Sequence, residues 1–143
     1  MRKGADNSGD DTSSTIAETA PERAALEALA NYMQAWNLRD LAAMDATFHF
    51  PHARLASGQI HILKTASARH SDFFERFIEA TGWDYSLWDY RQVIQSTDDK
   101  VHFAVQFTRY RADDSIIGHY PSLWIVALID NKWGVQARSS FAP

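Results

Sequence analysis

The 143-residue chain contains no cysteine, which excludes thiol catalysis, iron–sulfur clusters and cysteine zinc sites together. No run approaches the roughly 20 apolar residues that a membrane helix needs. The start, Met1-Arg2-Lys3-Gly4-Ala5-Asp6, is basic but leads into polar residues, unlike a secretory signal. Lysine and arginine are scattered singly, and the formal net charge is −4. The basic stripe that a phosphate backbone demands is therefore missing, and no nucleic-acid partner is expected. Neither Gly-x-Ser-x-Gly nor a glycine-rich phosphate loop nor a dinucleotide fingerprint occurs. Cofactor-dependent chemistry is not expected, and the expected setting is the cytoplasm, without a membrane.

What is present suits a single domain with a tail. Apolar residues make up 45% and aromatic residues 13% of the chain, and a chain of this size buries roughly two-thirds of its unfolded surface without a metal or disulfide staple. Segment 1–18 is rich in Ser, Asp, Thr and Gly, with Ile16 its single large aliphatic. It buries too little to offset its ordering entropy, so a flexible tail over 1–18 and a domain over 19–143 are expected.

Thr19-Ala20-Pro21-Glu22 reads as a capping box that opens a helix, with proline tolerated in the first turn. Ala25, Leu29, Tyr32 and Trp36 follow at helical spacing, ending near Asn37. Asp40 is placed to cap a short second helix, and a third is expected from about Ser67 to Ala80, with His70 at its core edge and Gly82 as its stop. The remainder alternates as strands. Turns at Ala56–Gln59, Thr97–Lys100, Ala112–Ser115 and Asp130–Asn131 pair Leu55 with Ile60, Ser96 with Val101, Arg111 with Ile116 and Ile129 with Lys132.

Extended without interruption, these hairpins put Trp88, Tyr90, Gln92, Ile94, Val105, Arg109, Tyr120, Ser122, Trp124, Ala137, Ser139 and Phe141 on one mostly apolar face. Arg91, His102, Gln106, Thr108, His119, Gln136 and Arg138 fall on the other. Pro121 is expected to mark a bulge.

Helix, short helix, hairpin, helix and four long strands ending in Trp133-Gly134-Val135-Gln136-Ala137-Arg138-Ser139-Ser140-Phe141, with Tyr32-Met33-Gln34-Ala35-Trp36-Asn37-Leu38-Arg39-Asp40 closing the first helix, resemble the NTF2-like (SnoaL-like, cystatin-like) superfamily. The resemblance implies an α+β cone, a curved antiparallel sheet of about six strands over three helices with a pocket between. It also implies a homodimer through the outer sheet face. The superfamily holds cofactor-free isomerases, dehydratases and cyclases beside non-catalytic members, so the fold alone does not name a reaction. Tyr32 matches by position the tyrosine that donates to an oxyanion in ketosteroid isomerases. Their aspartate base has no counterpart here, since Phe50-Pro51 stands where they carry Asp-Pro.

The graded face supplies the candidate site: Trp36, Tyr90, Gln92, Arg109, Tyr120, Ser122 and Ser139 as ligand-binding residues, with apolar walls and a few placed polar groups. Arg109 keeps its charge and needs either an anion, from Asp84, Asp89 or a ligand carboxylate or enolate, or a path to solvent from the strand end. The hairpin places His52, Arg54 and His61 together, opposite Ala53, Leu55, Ile60 and Ile62. The second set is oilier and is expected to face the core. His49, His52 and His61 do not form a metal site, having no carboxylate in register. His52 is the candidate proton carrier beside Tyr32, because an imidazole titrates near neutral pH. The function expected is binding of a small apolar or aromatic carbonyl compound or acid, with isomerase- or lyase-type chemistry if catalytic. The alternative is a non-catalytic ligand-binding or protein-interaction module.

Overall fold

The computed structural model describes residues 17–66 and 69–143. Three helices, α1 (Ala20–Asn37), α2 (Leu41–Ala46) and α3 (Phe73–Thr81), accompany six strands: β1 (Phe48–Ala56), β2 (Gln59–Leu63), β3 (Trp83–Ser96), β4 (Lys100–Arg111), β5 (Ile116–Ile129) and β6 (Lys132–Ser140). The sheet order is β2-β1-β6-β5-β4-β3. Every neighbouring pair is antiparallel except β1 and β6, which run parallel. This is the α+β cone. No helix among the described residues is long and apolar enough to cross a membrane.

The helix ends follow local chemistry. The Thr19 hydroxyl accepts from Glu22 N at 3.2 Å, and the Glu22 carboxylate reaches back to Glu18 N at 3.0 Å, one residue beyond the box expected. Asp40 Oδ1 accepts from Ala43 N to open α2. Gly82, at φ 73°, takes the left-handed conformation that ends α3. That helix begins later than the sequence pattern suggests, at Phe73, so His70 lies in the preceding turn and is exposed rather than at a core edge. The expected flexible segment falls outside the described residues except for Ala17 and Glu18.

Three of the four hairpin turns pair as expected next to the turn; at the third a bulge sets Tyr110 against Ile116, and the expected register resumes at Arg109 and Gly118. Pro121 sits in register opposite Gln106 and resets nothing. The departures lie deeper in the strands. In β3, one extra residue at Ile94 turns Gln92 and Tyr90 to the outer face and Arg91 inward. A second, at Asp89, returns Trp88 and Ser86 to the inner face. In β6, an extra residue at Gln136 turns Ala137 and Ser139 outward and brings Arg138 and Ser140 in. A bulge inserts one residue against none, so every side chain beyond it changes face.

The core lies between α1 and the inner face, around Leu29, Met33, Trp83, Phe103, Trp124 and Val126. Beyond the β1–β6 register shift between Phe48 and Ala53, β1 turns His52 and Arg54 inward, while Leu55, Ile60 and Ile62 face out and are exposed. The expectation that the oily set faces the core is thus reversed.

Candidate functional site

A cavity of about 320 Å³ opens between α1, α3 and the inner face of the sheet. Its inner wall is set by α1, where Tyr32 and Trp36, one turn apart, stack at 6.2 Å. Trp36 is clamped: its indole N–H donates to Ser86 Oγ at 3.2 Å, and the same oxygen accepts from Trp83 Nε1 at 2.9 Å. Asn37 fixes Ser86 in turn through both its backbone N–H and its carbonyl. Phe73 and Phe77 from α3, with Trp88, Phe107 and Trp124 from the sheet, complete the apolar walls. Ring pairs of this kind hold their geometry through edge-to-face contact, which keeps the cavity formed.

Four arginines line this apolar space, Arg54, Arg69, Arg109 and Arg138, and no Asp or Glu is among the lining residues. Arg69 donates to Asp45 at 3.3 Å. Among the described residues no carboxylate forms an ion pair with the other three. Arg54 and Arg138 are directly opposed on β1 and β6, a like-charge juxtaposition that costs stability. Arg138 is 8% exposed and burial lowers its pKa to about 10, leaving it cationic at neutral pH. Burial likewise pushes Arg54 and Arg109 down.

Arg138 is held from behind by His52. Arg138 Nε donates to His52 Nε2 at 2.9 Å, so the ring must carry its proton on Nδ1, which donates to the Val135 carbonyl at 3.0 Å. His52 is fully buried and stacks on Phe48 with centroids 4.0 Å apart. Burial, with the Arg138 charge beside it, pushes its pKa down to about 3. Arg138 Nη1 reaches Tyr32 Oη at 3.4 Å, and its guanidinium lies over the Tyr32, Phe48 and Trp124 rings.

A family model described as "NTF2-like protein (DUF6841)" matches residues 22–140. The chain belongs to this NTF2-like family. No curated protein matches it. Among solved structures, a Nostoc punctiforme protein of unknown function with a cystatin-like fold superposes with a TM-score of 0.69 at 18% identity, over 88% of this chain and 94% of that one. A ketosteroid isomerase-like protein from Erwinia carotovora atroseptica gives 0.59 at 19%, over 84% and 95%. An NTF2-like protein from Novosphingobium aromaticivorans gives 0.62 at 15%, over 80% and 77%. At these identities the likeness establishes the fold and leaves the chemistry to the residues of each member.

Within this NTF2-like cone, Tyr32, Trp36 and Arg109 line the cavity as the sequence suggests. Tyr120 stands behind Arg109, its ring centroid 4.9 Å from the guanidinium carbon. Ser122 is buried and donates to Ser140 Oγ, and it is Ser140 that lines the cavity. Tyr90 and Gln92 lie on the outer face because of the Ile94 bulge, and Ser139 because of the Gln136 bulge. None of the three touches the site. Neither Asp84 nor Asp89 pairs with Arg109: Asp84 takes Arg39 at 3.4 Å, and Asp89 accepts from Gln106 and Thr108 on the outer face.

His52 is neither on the solvent side nor a wall of the cavity. Its two ring nitrogens are engaged by Arg138 and Val135. Arg54 and His61, grouped with it in the hairpin, do line the cavity, with His61 at the exposed rim. Strand alternation alone would not find Arg138, which a straight β6 turns outward.

Proposed function

We propose that this protein binds a small organic acid with a flat, apolar body in the cavity beneath α1. The observation that carries the reading is the pair Arg54 and Arg138, side by side on neighbouring strands, both lining the same apolar space, with no carboxylate of the described residues paired to either. Gathering buried like charges is unfavourable unless something compensates them, and a bound carboxylate does so by accepting charge-assisted hydrogen bonds that the planar guanidinium donates in a bidentate fork. The aromatic walls supply the apolar contact that a ring system needs. Tyr32, within reach of Arg138, adds a neutral donor to the same acid or carbonyl oxygen.

Binding without turnover is the reading best supported, because the group assigned to proton transfer, His52, is neutral and committed on both nitrogens to Val135 and Arg138. One contact favours a catalytic reading. Arg138 at 3.4 Å from Tyr32 Oη makes a cation-assisted donor suited to a developing enolate, the charge that isomerisation, dehydration or cyclisation would raise.

The partner proposed for the outer face is a second copy of this chain. Leu55, Ile60, Ile62 and Leu123 are exposed there on strands that share one sheet, a patch that two copies would shield from water.

The direct test is calorimetric titration of the protein with naphthalene-2-carboxylate and with naphthalene-2-methanol, its uncharged counterpart. The acid is expected to bind and the alcohol to bind at least ten times more weakly. Arg138→Gln is expected to weaken the acid by about 10- to 100-fold, the worth of one charged hydrogen-bonded contact. Equal affinity for acid and alcohol would sink the reading.

A further inference from the structure

The arginines of the cavity stand in two separate places. Arg138 and Arg54 come from β6 and β1 and meet the helix at Tyr32. Arg109 comes from β4, on the far side of β5, and meets the same helix one turn later, at Trp36. There it is caged by ring faces: its guanidinium carbon lies 4.9 Å from the centroids of both Phe77 and Tyr120, 5.6 Å from Phe107 and 5.8 Å from Trp36. Ring faces hold a cation without using up the N–H groups that project from its edge. Arg109 is 6% exposed, and its Nε has no hydrogen-bond partner.

A single acid group placed on Arg138 and Arg54 leaves Arg109 as a buried, uncompensated cation at the other end. With Arg69 answered by Asp45, three positive charges face a cavity whose lining holds no carboxylate side chain. We propose, building on the organic-acid reading above, that the ligand is a two-ended diacid. One acid group takes Arg138 and Arg54 beside Tyr32. The flat body lies along the Tyr32–Trp36 stack, and the second acid group takes Arg109 in its aromatic cage. Trp124, which lines the same space, has an indole N–H without a partner and 2% exposure, a further donor for an acid oxygen.

Three probes on one ring system separate this from the simpler reading: naphthalene-2-carboxylate, naphthalene-2,6-dicarboxylate, and 2-naphthyl phosphate, which carries its two charges at one point. In calorimetric titrations the dicarboxylate is expected to bind at least tenfold more tightly than the monoacid. In Arg109→Gln that preference should vanish, the dicarboxylate falling to the affinity that the same variant shows for the monoacid, whose measurable binding also reports an intact fold. Monoacid and dicarboxylate of equal, measurable affinity in the wild type would overturn the two-ended ligand and leave the organic-acid reading standing. A phosphate as tight as the dicarboxylate, or a preference that survives Arg109→Gln, would also overturn it. Failure of all three probes to bind would remove both readings together.

Discussion

On β1 and β2 the inner face carries His52, Arg54 and His61, while the outer face of the same two strands carries Ala53, Leu55, Ile60 and Ile62. Two strands further into the sheet, Trp124 on β5 points inward at 2% exposure, and its neighbour Leu123 points out at 48%. The second pair obeys ordinary amphipathic alternation, oil inward. The first pair inverts it. The difference follows from what each inner face meets. Trp124 borders the cavity too, yet it packs against the Tyr32 and Trp88 rings and stays 2% exposed, so its apolar area is removed from water. The inner side of β1–β2 meets a cavity, where an apolar side chain would gain little and a guanidinium can serve a ligand. Hydrophobic pattern predicts facing only where the inward side is filled.

The comparison breaks most visibly in stability. Trp124→Ala is expected to cost about 3–5 kcal/mol, as large aromatic truncations in a packed core do. Leu123→Ala, one residue along and on the other face, is expected to stay within roughly 0.5 kcal/mol in dilute solution. Urea denaturation at low micromolar concentration measures both, and equal losses would mean that the outer face is not solvent-facing in the monomer.

His52 sharpens the contrast within the inner face. His52→Leu leaves Arg138 Nε without its acceptor, at a cost on the order of 1–3 kcal/mol. Its titration adds a pH signature. With a folded-state pKa of about 3, below the ordinary value of 6.5, the unfolded chain binds the extra proton between those values. Stability is therefore full above 6.5 and falls as pH drops toward 3, by about 1.4 kcal/mol for each pH unit. His52→Gln, which retains an acceptor but does not titrate, is expected to flatten that slope in denaturation curves taken from pH 7 to 4. An unchanged slope would show that other groups set it.

The smallest effect on folding is expected from Leu123→Asp, which places a charge on the exposed oily face. Light scattering should then report a monomer, where the proposed second copy makes the wild type a dimer at tens of micromolar, with thermal stability at low concentration little altered. A wild type that is monomeric at tens of micromolar removes the proposed second copy.

Much of this molecule was legible in its residues. Helix caps at Thr19 and Asp40, the stop at Gly82 and the register beside three of the four hairpin turns are local chemistry, decided within a few residues of chain. Tyr32, Trp36 and Arg109 were placed correctly because helical spacing and an alternation on β4 that matches the uninterrupted register carry them to one side. Tyr90, Gln92, Ser139 and Arg138 were misplaced for one reason, a single inserted residue at Ile94 or at Gln136. No residue type announces such an insertion, since it arises from how a long strand bends over the helices rather than from the preference of the residue itself.

The sequence by itself determined the α+β architecture, the helix boundaries set by side-chain caps, and the presence of an inward arginine near one end of β4. Only the tertiary structure decided that Arg138 and Arg54 share a cavity, that His52 is buried and accepts from Arg138, and that the oil of β1–β2 faces outward. Each of those depends on register between strands far apart in the chain. Register over such distances is set by curvature and packing, which no local pattern encodes.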